Sequence, residues 1–345
     1  MILSVVVCGI VVLIAGLMPA RTESQDTTEA AVCSPRCLMI QKFHEQSPFV
    51  VGVTALTQKG TVSGSGTIIR TERGYFILTN NHVVQGGLKV YITPYNLPPY
   101  LGHYEVSIQG RDPHIDVALL TLPQQRDQAS FPSVQFGDTP MLGQEVFVLG
   151  YPSGIRSIAS GNVNSREAPH WFFVLTQLSL NPGVSGGPAF NTRHEMVGMA
   201  TGTVQGTQLM GLLLPVALIQ RAIPRLLEER VVKHGGTEFT FTDSWRPYPS
   251  FFDAHGLDYP PRDHGVIVVG VNSNSRAALA GVSIGDYIVS FQGEQVWNGR
   301  SLDEKIFFDY RPGDEVAFVF KRRGETLQVR YRLSEVQTGE IRPHK

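Results

Sequence analysis

The sequence predicts a mainly β protein, in which an all-β barrel or sandwich domain precedes a smaller domain of strands and one or two helices. A chain of 345 residues is long enough for about two domains. Its 35 glycines and 22 prolines, spread along the whole chain, favour short strands joined by many turns. Past residue 46, short β-branched and aromatic runs recur at even spacing, which is typical of an all-β barrel or sandwich.

Nine runs have the composition of strands, and a helical segment follows them. The runs are PFVVGVTAL, SGSGTIIR, GYFILTNNHVV, LKVYITPY, YEVSIQG, DVALLTL, EVFVLGY, WFFVLTQL and EMVGMATG. In PVALIQRAIPRLLEERVVKHGG, apolar residues recur every three or four positions, which predicts a helix that closes the first domain. Pro224 is expected to kink or restart this helix, and Gly235 and Gly236 to mark its end. The next stretch, FTDSWRPYPSFFDAHGLDYPPRDHG, predicts an irregular start to the second domain.

The first twenty residues, MILSVVVCGIVVLIAGLMPA, are almost wholly apolar and contain no charged side chain. The apolar segment, residues 2–18, is long for that of a signal peptide and short for a membrane span, and no Lys or Arg precedes it. A cleaved signal peptide and a retained anchor both remain open, since Ala20 offers a cleavage position but Met18 is not small. A buried helix fits poorly because the following RTESQDTTEAA is polar. Both alternatives predict an exported protein on the periplasmic or extracellular side.

The three cysteines have different surroundings. Cys8 lies inside the apolar segment and is expected to be a passive small residue. Cys33 and Cys37, in CSPRC, are predicted to form a disulfide, because two thiols close in sequence in an exported protein usually pair. A metal site that also uses His44 is the alternative, but these spacings make a weak motif. We therefore assign no metal ligand and no cofactor from the sequence.

The charge pattern gives no indication of a nucleic-acid partner. The protein has 29 Lys and Arg against 30 Asp and Glu, a formal net charge of -1. Basic residues form no cluster, and no block of like charge suggests an interaction tail. Binding of nucleic acid is therefore not expected.

Ser185 lies in NPGVSGGPAF, which places three glycines and two prolines in ten residues. Glycine permits positive φ and close approach, and proline fixes φ, so this composition specifies a shape around the serine. A serine hydroxyl is a poor nucleophile until a base takes its proton, and a histidine base needs an acceptor that holds its tautomer.

Two residues fit the roles of base and acceptor. His82, in FILTNNHVV, lies where an apolar strand ends, and Asp116, in DPHIDVALL, precedes a strand, with Asp112 left in the preceding turn. Taken alone, each also fits a strand-end cap or a satisfied polar group of the core. Together, His82, Asp116 and Ser185 follow one of the known sequential orders of a catalytic triad.

The motifs TNNHVV, DVALL and NPGVSGGP, with GSGTII before the histidine strand, resemble those of the HtrA (Deg) family of chymotrypsin-fold serine proteases. The resemblance covers roughly Pro48 to Leu333. It implies a mainly β architecture, a two-barrel chymotrypsin-like protease domain followed by an α+β PDZ-like domain. Each barrel would have six strands, with His82 and Asp116 from the first and Ser185 from the second meeting in a cleft.

The resemblance also implies where a substrate is held. In the turn of Gly183, Val184 and Ser185, the backbone amides of the two outer residues would form an oxyanion hole. Ser179 would form the floor of the primary specificity pocket, which suits Val, Ala, Leu or Met rather than Lys or Arg. One wall of this pocket would be formed by Gly198, Met199, Ala200 and Thr201.

The segment HGVIVVGVNSNSRAALAGVSIGDYIVSFQGEQV resembles a PDZ domain of the HtrA arrangement, with a short helix at SRAALAG and a final helix near SLDEKIFFDY. The strands DEVAFVFKRRG and TLQVRYRL would complete its sheet. PDZ domains bind the C-termini of other polypeptides by strand addition and carboxylate capture in a glycine-containing loop. Here FTFT, Phe239 to Thr242, stands where that loop is expected. Binding of C-terminal peptides, regulation and oligomer contacts therefore remain alternative roles.

Other departures from the family concern control. Val184 stands where the family commonly has Asn, and Gln177 where an Asp often follows Thr176, but neither position has a triad or oxyanion role. The segment SREAPHW is short for a sensor loop of the family, so weak coupling between the PDZ-like domain and the active site is expected.

The sequence predicts an exported serine endopeptidase for unfolded or damaged proteins that forms a homotrimer or larger assembly. The alternative is a non-proteolytic peptide-binding scaffold or chaperone that retains the protease fold. A complete triad beside an atypical peptide groove favours the enzyme. The expected segments are a signal peptide or anchor at 1–20, a linker at 21–46, the protease domain at 47–235, the PDZ-like domain at 236–335 and a polar tail at 336–345.

Overall fold

The computed structural model of the protein describes residues 48–94, 104–122, 133–151, 155–166, 173–178, 180–203, 210–257 and 265–336. The apolar N-terminal segment, the linker with Cys33 and Cys37, Ser179 and most of the SREAPHW loop lie outside these residues. The interpretations given for them above stay predictions.

Strands dominate the described residues, which confirms the predicted mainly β fold class. The strands are β1 (Val50–Thr57), β2 (Gly60–Thr71), β3 (Gly74–Thr79), β4 (Gly87–Pro94), β5 (Tyr104–Val106), β6 (Ile108–Asp112), β7 (Val117–Thr121), β8 (Glu145–Gly150), β9 (Ser157–Ser165), β10 (Val174–Thr176), β11 (Pro188–Phe190), β12 (Met196–Thr203), β13 (Gly211–Pro215), β14 (Gly235–Gly236), β15 (Phe239–Asp243), β16 (Val266–Val271), β17 (Tyr287–Phe291), β18 (Glu294–Gln295), β19 (Glu315–Arg322), β20 (Glu325–Arg332) and β21 (Ser334–Glu335). The helices are α1 (Asn81–Val84), α2 (Val216–Glu228), α3 (Pro249–His255), α4 (Arg276–Leu279) and α5 (Gly299–Asp309). Among the residues that the structure describes, no helix is long and apolar enough to cross a membrane.

The first half of the first domain is a seven-stranded antiparallel sheet in the order β5-β4-β1-β2-β3-β7-β6. Its two outermost strands, β5 and β6, are consecutive in sequence and are separated only by Ser107. One segment therefore pairs with β4 through its first half and with β7 through its second half. The six strands expected for this barrel are observed as seven, because one of them is interrupted at Ser107.

The second half is a closed barrel of six strands in the order β10-β13-β12-β11-β8-β9. Its strands pair antiparallel throughout. Buried Val148, Val197 and Leu213 belong to one apolar cluster of this barrel. This half has the number of strands that the sequence predicted.

Helix α2 is continuous across Pro224 and ends at Glu228, so the prediction that it extends to the two glycines is wrong. Beyond Glu228 the backbone is extended, and the Val232 N–H donates to the carbonyl of Arg111 (2.9 Å). The β-branched pair Val231 and Val232 favours extended backbone over helix. The two glycines form β14, which pairs with β21.

The second domain is built on a sheet in the order β15-β16-β17-β19-β20, with β18 paired to β17. The FTFT segment forms most of the edge strand β15, so its placement in a loop is wrong. Phe239 and Phe241 are buried whereas Thr240 between them is exposed, which is the period-two pattern of a strand. The start of this domain, expected to be irregular, contains β15 and α3.

Helix α5 joins the two domains through its apolar C-terminal half. Phe307 and Phe308 share one buried cluster with Leu226 and Leu227 of α2 and with Val232. The second domain has a separate core, in which Phe291, Phe318 and Phe320 are buried. The α5 contact therefore packs the second domain against the end of the first domain.

Candidate active site

Two consecutive turns present Ser185 near their junction. The turns Asn181–Val184 and Val184–Gly187 are each closed by a hydrogen bond from the fourth N–H to the first carbonyl, at 3.2 and 2.9 Å. Their third residues are glycines with positive φ, Gly183 at 96° and Gly186 at 87°. The first turn has proline at its second position and glycine at its third, which is typical of a type II turn. The glycine and proline pattern therefore determines the backbone on both sides of the serine.

The serine loop contacts the first barrel closely. The backbone N–H of Ser65 donates to the carbonyl of Ser185 at 2.7 Å. A Cβ atom on Gly186 would overlap the carbonyl oxygen of Ser65, so only glycine fits there. On the other side of the loop, the N–H of Gly186 donates to the carbonyl of Ala200 in β12 (2.8 Å). The loop is thus held between β2 and β12.

The backbone amides of Gly183 and Ser185 donate to no acceptor among the residues that the structure describes. The amides next to them are paired, since Val184 N–H closes the first turn and Gly186 N–H bonds to β12. Two free N–H groups separated by one residue are the donor arrangement that binds a developing negative oxygen.

His82 and Asp116 are joined by two hydrogen bonds. Nδ1 of His82 lies 2.7 Å from Oδ2 of Asp116, and the backbone N–H of His82 donates to Oδ1 at 2.8 Å. His82 lies in α1, directly after β3, and its side chain is 45% exposed, against 19% for Asp116. The ring is therefore held through Nδ1 while its Nε2 has no hydrogen-bond partner among the described residues.

The turn that carries Asp116 is shaped by Asp112. Asp112 is the last residue of β6 and is fully buried, so its predicted position in the turn is wrong. Its Oδ1 accepts the N–H groups of His114 (3.0 Å) and Ile115 (3.4 Å). Asp116 has a φ of 58°, a region in which aspartate is enriched among non-glycine residues. Because Ile115 is fully buried, the turn is anchored in the core and directs Asp116 toward His82.

A path of hydrogen bonds connects Ser185 to the His82–Asp116 pair. Nδ2 of Asn80 donates to the carbonyl of Asp116 (2.8 Å) and to Oγ1 of Thr201 (3.3 Å). Oγ of Ser185 donates to the carbonyl of Thr201 (3.3 Å). No direct hydrogen bond joins Ser185 to His82 in the described part of the protein, and such nucleophile–base contacts are often long before substrate binds. Sequence reasoning missed Asn80, although it lies inside the TNNHVV motif.

Strand β12 contains the four residues assigned to the pocket wall. Gly198, Met199 and Ala200 are buried, and Thr201 is half-buried. Ala200 exchanges hydrogen bonds with the serine loop at 2.8 and 2.9 Å. The structure therefore places this stretch of β12 beside the serine loop, while Ser179 lies outside the described residues.

Ser65 is a site residue that sequence reasoning did not identify. Its Oγ donates to the carbonyl of Gly183 (2.7 Å) and accepts the N–H of Tyr151 (2.8 Å). Its side chain is fully buried, and its backbone N–H bonds to Ser185. One residue thus holds both ends of the segment that contains the two free amides. The available signal was the serine between two glycines in GSGTII.

Ser65→Ala is expected to lower the free energy of unfolding by about 1–3 kcal/mol, because Tyr151 N–H and the Gly183 carbonyl lose a buried partner. It is also expected to slow the reaction of Ser185 with a serine-directed reagent. Urea unfolding and labelling rates measure the two effects. Ser63→Ala, at an exposed position of the same strand, is the matched control. Equal unfolding energies and labelling rates in both variants would contradict this role.

Comparison with known protein families finds two matches along the sequence. Residues 64–199 match the trypsin-like peptidase domain, and residues 250–333 match the PDZ domain. The first match contains His82, Asp116 and Ser185. The second begins in α3 and extends past β20.

Curated relatives are named as serine proteases. The probable periplasmic serine endoprotease DegP-like of Chlamydia trachomatis is 26% identical over 296 residues, which cover 82% of this protein and 56% of the relative. A protein of the same name from Marinomonas sp. is 30% identical over 300 residues, 79% of this protein and 59% of the relative. The serine protease Do-like HtrB of Bacillus subtilis is 28% identical over 291 residues, 79% of this protein and 62% of the relative. The sequence thus spans 56% to 62% of the length of these relatives.

Solved structures have the same fold. The serine endoprotease from Yersinia pestis superposes with a TM-score of 0.64 at 23% identity, over 87% of this protein and 98% of that structure. The HtrA-type protease AlgW with tripeptide superposes with a TM-score of 0.71 at 20% identity, over 87% of this protein and 97% of that structure. These superpositions therefore show a shared fold over most of this protein.

Proposed function

With a trypsin-like peptidase domain followed by a PDZ domain, the protein belongs to the HtrA (DegP-like) type of serine protease, and on that premise we propose that it is an endopeptidase for unfolded or damaged proteins. The observation that carries the proposal is the His82–Asp116 pair, joined by hydrogen bonds through Asn80 and Thr201 to Ser185. Cleavage of unfolded casein by the wild type, and its loss in Ser185→Ala, tests the activity.

In the proposed mechanism, the Ser185 hydroxyl turns from the Thr201 carbonyl toward His82 and attacks a peptide carbonyl. His82 takes the hydroxyl proton at Nε2 and then gives it to the leaving amine; water resolves the acyl-enzyme by the same proton route. Asp116 accepts a hydrogen bond from the Nδ1–H group of His82, which keeps the Nε2 lone pair available and stabilises the imidazolium. Because its second oxygen accepts the backbone N–H of His82, the carboxylate is fixed relative to the ring.

The amides of Gly183 and Ser185 bind the negative oxygen that develops on the attacked carbonyl. Each such donor contributes about 2.7–4 kcal/mol to transition-state stabilisation in other enzymes of this chemistry. The positive φ of Gly183 sets the direction of its amide, and Val184 between the two donors contributes only backbone. Ser65 keeps this turn in place through the Gly183 carbonyl.

We assign the protease domain to residues 47–235 and the PDZ-like domain to residues 236–335. The pairing of β14 with β21 supports this boundary, since it brings the two ends of the second domain together. For the PDZ-like domain we propose the binding of extended or C-terminal peptides, with β15 as the edge strand available for strand addition. Asp243, at the end of β15, accepts the Gly299 N–H at 2.7 Å and so ties this edge to the start of α5.

We propose that the protein acts after export, on the periplasmic or extracellular side, as do the similar proteins that are named periplasmic. Residues 2–18 would direct export as a signal peptide or hold the protein at the membrane. Cys33 and Cys37 would then be paired in an oxidising compartment. A homotrimer or larger assembly is the oligomeric state that the family resemblance favours.

Cleavage is expected after Val, Ala, Leu, Ile or Met, since Ser179 offers only a neutral hydroxyl at the proposed pocket floor. A buried Lys or Arg there would have no charge partner, at a cost of several kcal/mol, whereas a Val or Leu side chain gains about 1.5–3 kcal/mol by burial. Mass spectrometry of peptides from a denatured protein maps the sites. Ser179→Asp is expected to move them toward basic residues. A wild-type map dominated by Lys and Arg would contradict this pocket while leaving the triad untouched.

A further inference from the structure

A second group of reactive side chains lies between the two domains. It consists of Asp112, His114 and His234, whose side chains are 0%, 5% and 1% exposed. One ligand atom from each lies within 4.8 Å of the others. Within the described ranges, no other three His, Cys, Asp or Glu side chains have this arrangement. The proposed protease mechanism uses none of the three.

Both histidines are oriented by backbone carbonyls. Nδ1 of His234 lies 2.6 Å from the carbonyl oxygen of Phe307, and Nε2 of His114 lies 3.0 Å from that of Val336. A carbonyl only accepts, so each of these nitrogens carries a proton. In a neutral ring the other nitrogen then has a lone pair, as in metal sites whose histidine ligands donate to a backbone carbonyl through the second nitrogen.

The two remaining nitrogens lie close to the carboxylate of Asp112. Nε2 of His234 is 2.7 Å from Oδ2, and Nδ1 of His114 is 3.8 Å from Oδ1. A lone pair facing a carboxylate at 2.7 Å requires a positive charge between them, either a proton or a metal ion. A proton on His234 satisfies that contact alone and leaves Nδ1 of His114 buried without a hydrogen-bond partner among the described residues. A metal ion satisfies both histidines at once.

We propose that Asp112, His114 and His234 bind a divalent transition-metal ion of the Zn²⁺ class. Two imidazoles and one carboxylate form a ligand set that Zn²⁺ prefers, with metal–ligand distances of about 2.0–2.1 Å. Tetrahedral ligands at such distances lie about 3.3 Å from one another. The observed contacts are 2.7 Å from Nε2 of His234 to Oδ2 and 3.8 Å from Nδ1 of His114 to Oδ1, so they involve different oxygens of Asp112. Since one ligand atom from each residue lies within 4.8 Å of the others, side-chain adjustment would bring the three ligands to one ion. Burial, and then the neighbouring His234, lower the pKa of His114, which favours the neutral ring that a metal needs.

The ion would connect three parts of the protein. Asp112 and His114 belong to the end of β6 and to the turn that leads to Asp116. His234 precedes β14 and stacks on Phe307 of α5, with ring centroids 3.5 Å apart and planes inclined by 11°. The carbonyl that orients His114 belongs to Val336, directly after β21. All three ligands precede the PDZ-like domain, so the bound ion would fix the segment that leads into that domain against the turn that positions the proposed triad.

Zn²⁺ binding to the full-length protein tests this site. The protein is prepared without a histidine tag and with Cys33→Ser and Cys37→Ser, so that CSPRC cannot bind the metal. Calorimetric titration is expected to give one Zn²⁺ per protein molecule, and Zn²⁺ is expected to raise Tm. In His114→Gln the affinity is expected to fall at least about tenfold, with loss of the Tm increase. Because this substitution also replaces the Nε2–H that donates to the carbonyl of Val336, the effect of Zn²⁺ on Tm is compared with the metal-free Tm of the same variant.

His255→Gln is the matched control, since His255 is an exposed histidine at the end of α3, and its Zn²⁺ affinity should equal that of the parent protein. Absence of saturable binding, or equal affinity in His114→Gln and the parent, would overturn the proposal. If His114→Gln does not fold, X-ray absorption of the Zn²⁺-loaded wild type decides instead. Two imidazole ligands support the site, and a sulfur shell or a single imidazole refutes it.

Discussion

Replacement of Ser185 by alanine is expected to lower the turnover of unfolded casein by about 10⁴- to 10⁶-fold, because it removes only the proposed nucleophile. The two turns around it are closed by backbone hydrogen bonds, which alanine preserves. His82→Ala is expected to have a similar effect, since the hydroxyl then has no base, and the double variant should be no worse than either single one. Release of acid-soluble peptides over time measures all three.

Ser283→Ala is the control for this series, because Ser283 is an exposed serine of the PDZ-like domain. Its activity should equal that of the wild type. The far-ultraviolet circular dichroism and the urea midpoint of Ser185→Ala should also be unchanged, so that lost activity is not lost structure. Turnover within about tenfold of the wild type in Ser185→Ala or His82→Ala would show that these residues do not form the triad.

Asp116→Asn is expected to lower kcat by about 10⁴-fold at neutral pH, although the replacement is isosteric. The carboxylate accepts the backbone N–H of His82 through one oxygen and faces Nδ1 through the other. A backbone N–H can only donate, so the amide oxygen of asparagine must take that side and its NH₂ group must face Nδ1. Nδ1 then accepts, the proton moves to Nε2, and His82 can no longer take the proton of Ser185.

Asp253→Asn, on the exposed surface of α3, is the matched control for a lost carboxylate and should keep full activity. The ¹⁵N chemical shifts of His82 report its tautomer directly, with Nε2 protonated in Asp116→Asn and Nδ1 protonated in the wild type. A loss in kcat below about a hundredfold, or an unchanged tautomer, would mean that Asp116 does not orient His82.

The sequence predicted the mainly β fold class and the serine loop for local reasons. Positive φ at Gly183 and Gly186 is a property of short turns, and NPGVSGG contains the residues that such turns require. The alternating pattern of the strands is equally local. By contrast, the helix predicted up to Gly236 ends at Glu228. The Val232 N–H bonds to the carbonyl of Arg111, which lies more than a hundred positions earlier, and this long-range contact competes with helix formation.

Long-range partners also explain the remaining differences. Asp112 precedes a proline, which suggests a turn, but its carboxylate has a buried partner in His234, 122 positions away. The FTFT segment forms a strand through its pairing with β16. Four residues are too few to reveal that pairing from the sequence. Sequence reasoning did not identify the roles of Asn80 and Ser65, because each acts through hydrogen bonds to the other barrel, to Thr201 and Gly183 respectively.

Reaction of the full-length protein with a fluorophosphonate in the presence of unfolded casein, followed by peptide mapping, tests most directly whether Ser185 is an activated nucleophile. The expected result is a single adduct on Ser185, loss of casein cleavage in proportion to labelling, and no adduct in His82→Ala. An adduct on another serine that accompanies loss of activity, or casein cleavage that persists while Ser185 is fully labelled, would contradict the proposed active site.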